Sequence, residues 1–135
     1  MAKASAFIHI PVPADDIWQR VGGFNSLPEW LPLIAKSESG EGGRVRHLTT
    51  QDGTQIIERL RSFDDQGRTY SYSIVQGPFP VTDYLAILKV VADGDQAARV
   101  EWSGTFTPEG ISDAQAEAIF LEVYQSGLQA LKGNF

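Results

Sequence analysis

The stretch ISDAQAEAIFLEVYQSGLQALKG, residues 111–133, decides how the rest of the chain can fold. Ser112 and Gln115 form an S-x-x-Q capping box, in which each side chain satisfies a backbone N–H of the other, and Ile111 is placed to staple onto Ala116. The box predicts a helix starting at Asp113. Its apolar stripe runs Ala116, Ile119, Phe120, Val123, Gly127 and Leu131, the three- and four-residue steps of one helix face. Gly133 supplies a C-terminal stop. The predicted rod is about 20 residues long, or roughly 30 Å.

Everything before it reads mostly as strand. Turn signals recur at Gly22-Gly23, Gly40 to Gly43, Asp52-Gly53, Asp64 to Gly67, Gly77 to Pro80 and Asp93 to Asp95. Between them lie strands expected at Ala4 to Ile10, Ile34 to Glu41, Arg44 to Gln51, Gln55 to Phe63, Thr69 to Val75, Val81 to Ala92 and Ala97 to Thr107. The clearest alternation is in Thr69 to Val75, where Tyr70, Tyr72 and Ile74 share one face and Thr69, Ser71 and Ser73 the other. Elsewhere the parity is mixed: Leu85 and Ile87 oppose Tyr84 and Leu88. A short helix fits Ala14 to Val21, with Asp15 and Asp16 in its positive first turn. Pro28 and Pro32 limit Leu27 to Leu33 to one helical turn.

The pattern predicts an α+β domain over residues 1–135. One long helix covers a seven-stranded antiparallel sheet only if the sheet curls around it, because strand twist disfavours flat sheets. Such curvature leaves space between helix and sheet. Gly127 in the buried stripe, with Ala86 and Ser103 on facing strands, favours a hollow; equally, Gly127 permits close packing. The hollow expected is a mostly apolar pocket of roughly 300–1,000 Å³.

Composition narrows the function. No cysteine is present among the 135 residues, which excludes disulfide scaffolds, thiolate metal sites and cysteine nucleophiles. Lys and Arg number 11 against 17 Asp and Glu, a net charge of −6 that opposes nucleic acid and anionic membranes as partners. No apolar run reaches the length of a membrane span, and residues 1–12 lack a secretory signal pattern, so a cytoplasmic protein is expected. His9 and His47 read as surface positions without metal-ligand spacing, and no nucleotide-binding, serine-hydrolase or zinc motif occurs; neither metal nor cofactor is expected. Arg44, Arg46, Arg59, Arg61 and Arg68 interleave with Asp52, Glu58, Asp64 and Asp65, which predicts cross-strand pairing.

The ordered set Val12-Pro-Ala-Asp-Asp-Ile-Trp18, Gly43-Arg-Val-Arg46, Asp52-Gly53, Glu58-Arg59-Leu60, Asp64-Asp65, Tyr72-Ser-Ile-Val75, Asp83-Tyr84 and Pro108-Glu109-Gly110 resembles the START-like helix-grip superfamily, the polyketide cyclase/dehydrase and lipid transport proteins. Within it, the spacing is similar to a bacterial subgroup resembling the plant abscisic-acid receptors. The resemblance implies a helix-grip fold with two short helices after the first strand. It also implies a gate over Thr50 to Gln55, with Asp52 and Gly53 at its tip, and a latch at Gly77, Pro78, Phe79 and Pro80. The lysine that holds the hormone carboxylate corresponds here to Leu31, which removes the cation an acidic ligand needs. The latch His-Arg pair corresponds to Phe79-Pro80, so no phosphatase partner is implied.

Glu58 shares strand parity with Ile56 and Leu60, so if those face the core a carboxylate does too. Arg46, on the parity of Leu48, is its expected counter-charge, because an unpaired buried carboxylate is costly. The resemblance adds Glu101 as a second cavity carboxylate. Three roles stay open for Glu58: a buried ion pair that orders the sheet, a ligand-orienting group, or a proton-transfer group. The expected walls are Leu31, Leu48, Ile56, Glu58, Tyr72, Val81, Tyr84, Ile119 and Val123, with Arg46, Glu58, Tyr84 and Glu101 fixing orientation. Trp30 is expected near the cavity mouth or as a staple of the short helices. The expected function is binding of a small hydrophobic or lipid-like molecule. The alternatives are a cyclase- or dehydratase-like enzyme in which Glu58 or Tyr84 moves protons, and an interaction module whose cavity is vestigial, favoured if large side chains fill the grip. Leu85, Ile87 and Trp102, if exposed together on the outer face, would suit a homodimer contact.

Overall fold

The structure, a computed structural model, describes residues 2–135; the expected domain of 1–135 differs from this only at Met1, which lies outside the described residues. Seven strands form one antiparallel sheet: β1 (Ala2–Ile10), β2 (Ile34–Gly40), β3 (Val45–Thr50), β4 (Gln55–Asp64), β5 (Thr69–Gln76), β6 (Val81–Ala92) and β7 (Ala98–Pro108). Their order across the sheet is β1-β7-β6-β5-β4-β3-β2, so β2 through β7 form a meander and β1 returns to pair with β7. Helix α1 (Ala14–Val21) and a 3-10 turn (Leu27–Glu29) follow β1, and α2 (Asp113–Lys132) ends the chain.

Local chemistry explains the elements. Ser112 Oγ accepts from the Gln115 backbone N–H at 3.1 Å, and Gln115 Oε1 accepts from the Ser112 backbone N–H at 2.9 Å, so the predicted capping box starts α2. At the other end Gly133 keeps a right-handed φ of −64°, so the helix stops without a left-handed glycine. The Trp18 indole N–H donates to Asp65 at 2.8 Å, tying α1 to the β4–β5 turn.

The buried face of α2 is Ala116, Phe120, Tyr124, Gly127, Leu128 and Leu131. This corrects the predicted stripe. Tyr124 continues the four-residue step from Phe120 and is fully buried, whereas Ile119 is only half-buried and off the cavity. The helix lies chiefly against β1 and β7.

Parity across β6 and β7 resolves once the register is known. Tyr84, Ala86, Leu88 and Val90 point inward and Leu85 and Ile87 outward. The pairing with β7 shifts between Thr82 and Leu85, and Asp83 sits there at φ 52°. The extra residue lets Val81 pack against the core although its number parity is opposite to Tyr84. On β7 the inward set is Ala98, Val100, Trp102, Gly104 and Phe106. Trp102 is therefore core, and the expected outer patch shrinks to Leu85 and Ile87; Ser103 likewise faces outward rather than into the grip.

Gly127 does not hold a hollow open. A Cβ at this position would meet Trp102 Cζ3 at 2.8 Å and Leu31 Cδ1 at 2.9 Å, so the missing side chain is the room that Trp102 occupies. Alanine here gains up to about 1 kcal/mol in helix propensity but overpacks a rigid indole, at about 1–3 kcal/mol. We expect Gly127→Ala to lower stability by about 1 kcal/mol in urea denaturation, with the neighbouring exposed Ser126→Ala close to neutral.

Candidate functional site

One cavity lies between the concave face of the sheet and α2. β3 and β4 contribute Arg46, Leu48, Ile56 and Glu58; β5 contributes Tyr72 and Ile74; β6 and β7 contribute Tyr84 and Trp102. Phe120 and Val123 of α2 close it on the other side, and Leu27, Leu31, Leu33, Ile34 and Phe79 come from the connecting segments. Its volume is about 40 Å³, room for roughly three water molecules. The expected pocket of several hundred Å³ is thus not open in this form, because aromatic side chains fill the grip. Tyr84 lies 4.8 Å from Phe120 between ring centroids, and Phe79 lies 4.9 Å from Phe120. Trp102 occupies the ground beside Gly127.

The wall is apolar except at one corner. Arg46 and Glu58 stand directly opposite each other on β3 and β4. Arg46 Nε donates to Glu58 Oε1 at 2.8 Å and Nη2 reaches the same oxygen at 2.6 Å. Nη1 donates to the Phe24 carbonyl at 2.7 Å, and the guanidinium lies 4.1 Å over the Phe24 ring and 4.8 Å from that of Tyr72. Arg46 is 1% exposed and Glu58 7%. Burial pushes the Glu58 carboxyl above its usual range; the charge and hydrogen bonds of Arg46 oppose this without cancelling it. Burial acts to lower the Arg46 value, but the Glu58 charge and the flanking Tyr70 and Tyr72 hold it above the ordinary arginine range, so it stays cationic.

A second polar group is aromatic. The Trp102 indole N–H donates to Tyr72 Oη at 3.0 Å, and Tyr84 and Tyr124 share a hydroxyl hydrogen bond of 2.5 Å. The hydroxyl of Tyr124 sits where a Cβ on Gly104 would be, so that strand glycine admits the phenol. Burial raises the Tyr72 and Tyr84 values well above the phenol range.

Several expected site residues lie elsewhere. Glu101 is on the outer face of β7, 40% exposed at its side chain and paired with Arg99 at 2.8 Å, because its parity is opposite to Val100 and Trp102. Val81 touches the core beside the latch but does not border the cavity. Asp52 and Gly53 form an exposed turn away from the cavity, with Gly53 at φ 90° and hydrogen bonds from Thr50 and Thr54 holding the Asp52 carboxyl down to about 2. In the latch, Phe79 lines the cavity while Pro78 is exposed and Pro80 half-buried. Trp30 is buried against Trp102, 5.7 Å between centroids, which fits the staple. The pattern of inward residues on β7 could have revealed Trp102; Leu27, Leu33 and Ile34 carry no periodic signal because they lie in or beside irregular backbone.

A curled antiparallel sheet gripping a C-terminal helix over a small polar-cornered cavity defines the helix-grip class. The sequence matches the family described as polyketide cyclase/dehydrase and lipid transport over residues 1–135. The chain belongs to this family. No curated protein matches it. Among solved structures, it is similar to an uncharacterised protein from Bacillus thuringiensis at 47% identity and a TM-score of 0.97, covering 99% of this chain and 98% of that one. It is likewise similar to the protein XoxI from Bacillus cereus at 48% identity and a TM-score of 0.97, covering 100% and 96%. A START superfamily protein from Mycobacterium smegmatis shares the fold at 15% identity and a TM-score of 0.82, covering 99% and 97%.

The raised Glu58 value carries a sign. A carboxyl that binds its proton more tightly when folded contributes stability that is present at low pH and lost as pH rises through the folded-state value. Relative to Glu58→Gln, the native protein should lose stability as pH climbs above the ordinary glutamate range of about 4.3, read as urea midpoints between about pH 4.5 and 8. Arg46→Met, which strands the carboxylate, should cost about 3–5 kcal/mol at neutral pH and less at the acid end.

Proposed function

We propose that this protein binds a small, largely apolar molecule between the sheet and α2, with its polar end against Arg46, Glu58, Tyr72 and Tyr84. The observation that carries this reading is the buried Arg46–Glu58 pair bordering an otherwise apolar cavity. A buried ion pair contributes little stability beyond what apolar packing would supply, whereas at a cavity wall it offers directional hydrogen bonds to an occupant. The family's description, which includes lipid transport, supports the same reading.

A ligand of ordinary size needs several hundred Å³, so the cavity must widen. The side chains suited to move are Leu33, which is 45% exposed, and the half-buried Phe79, which packs against Phe120. The 77–80 segment, whose Phe79 lines the cavity, then acts as the latch. Leu48, Ile56, Leu31 and Val123 supply apolar burial at about 25 cal/mol per Å².

The family's description also covers cyclase and dehydrase chemistry. Proton transfer by Glu58 asks for a carboxylate free of a fixed cation, and Arg46 holds it at 2.6 Å; this favours binding over catalysis.

The neutral dye N-phenyl-1-naphthylamine tests the reading. We expect saturable one-to-one binding with a fluorescence increase, and at least tenfold weaker binding in Val123→Trp, whose indole would block the cavity beside α2 while the fold persists. Equal titrations for the two proteins, or a linear unsaturable rise, would refute an internal site.

A further inference from the structure

Where β3, β4 and β5 meet the cavity, the hydrogen-bond accounts do not close. Arg46 directs Nε and Nη2 to one oxygen of Glu58, Oε1, and Nη1 to the Phe24 carbonyl. Glu58 Oε2 accepts from no described residue and keeps some access of its own, on a side chain that borders the cavity. Tyr72 Oη accepts the Trp102 N–H, which uses a lone pair and leaves the hydroxyl proton without an acceptor among the described residues. Tyr72 is 3% exposed and borders the same cavity. The register pairs Glu58 with Ile74 and Leu60 with Tyr72, so Glu58 and Tyr72 are diagonal neighbours on one face. Diagonal neighbours stand roughly 7–8 Å apart at the backbone. Both side chains border the same cavity.

The corner therefore offers one acceptor and one donor, with no net charge, since Arg46, the only cation there among the described residues, is already paired. Resting on the binding reading above, we infer that the ligand class is a neutral hydroxyl compound, an alcohol or phenol, whose O–H donates to Glu58 Oε2 and whose oxygen accepts from Tyr72. A carboxylate brings a second negative charge against Glu58 with no free cation to answer it. A ketone satisfies Tyr72 but sets a lone pair against Oε2. An ammonium group satisfies Oε2 but has no acceptor for the Tyr72 proton and adds charge beside Arg46.

The test compares 4-butylphenol, butylbenzene and 4-butylbenzoate, matched in apolar body and different only at the polar end. Binding is followed by NMR through the Trp102 indole N–H, whose acceptor is Tyr72. The expected order is phenol tightest, about tenfold over butylbenzene as two hydrogen bonds allow, and benzoate weakest. Tyr72→Phe should cut the phenol's advantage about fivefold and leave butylbenzene within about twofold. Glu58→Gln leaves Arg46 uncompensated and should raise benzoate above phenol; if that variant does not fold, the Tyr72→Phe comparison decides alone. If butylbenzene binds but phenol gains nothing over it, or benzoate binds as tightly as phenol, the hydroxyl assignment falls and apolar binding stands. If none of the three binds, the binding reading falls, and this inference with it.

Discussion

The Arg46–Glu58 pair constrains more of this molecule than any apolar contact. Two opposite charges inside a grip lined by aromatic rings are tolerable only if they meet each other, so the pairing of β3 with β4 cannot slip by a residue: a slip would turn one of the two side chains to solvent and leave the other buried without its counter-charge. Arg46 extends the constraint beyond the sheet. Its bond to the Phe24 carbonyl and its stacking on the Phe24 ring anchor the segment between α1 and the 3-10 turn, which delivers Leu27 and Leu31 to the cavity. The sheet register, the seating of the short helices and the polar corner of the cavity share one guanidinium.

Around that corner the interior is crowded. Phe120 packs against Phe79, Tyr84 and Phe106, while Tyr124 stacks on Trp102 at 4.7 Å. Two glycines make this density possible from opposite sides, Gly127 on the helix for Trp102 and Gly104 on the sheet for the Tyr124 hydroxyl. The grip is thus a packed aromatic core with a small polar flaw, bordered by the exposed Leu33 and the half-buried Phe79.

Much of this was legible in the sequence. The capping box at Ser112, the strand breaks at Asp52-Gly53 and Gly77-Pro78, and the alternation of Tyr70, Tyr72 and Ile74 reflect backbone demands that few residues meet. Glu58 and Arg46 followed from period-two parity alone, and the structure brings them together. Parity went unread on β7, where the resemblance placed Glu101 inward although Val100 and Phe106 fix the opposite face. On β6 it was ambiguous, because Leu85 and Ile87 make the outer face as apolar as Tyr84 and Leu88 make the inner one, and the bulge at Asp83 sets Val81 off the parity of the rest. Tyr124 was left out of the stripe although it continues the four-residue step from Phe120; Tyr84 satisfies its hydroxyl inside the core. Cavity volume was beyond reach: the same glycine in a helix stripe fits a void or an indole, and only the position of Trp102 separates them.

The return of β1 to the far side of the meander has a consequence for how the chain acquires its shape. Among the described residues, the only sheet partner of β1 begins at Ala98, and the helix that covers both follows at Asp113. A nascent chain can zip the hairpins from β2 to β6 as they emerge, but β1 stays unpaired until β7 has been made. Closing so long a loop is slow relative to hairpin formation. Until then Ile8 and Ile10, buried in the finished protein, lie open to water on an unsatisfied strand.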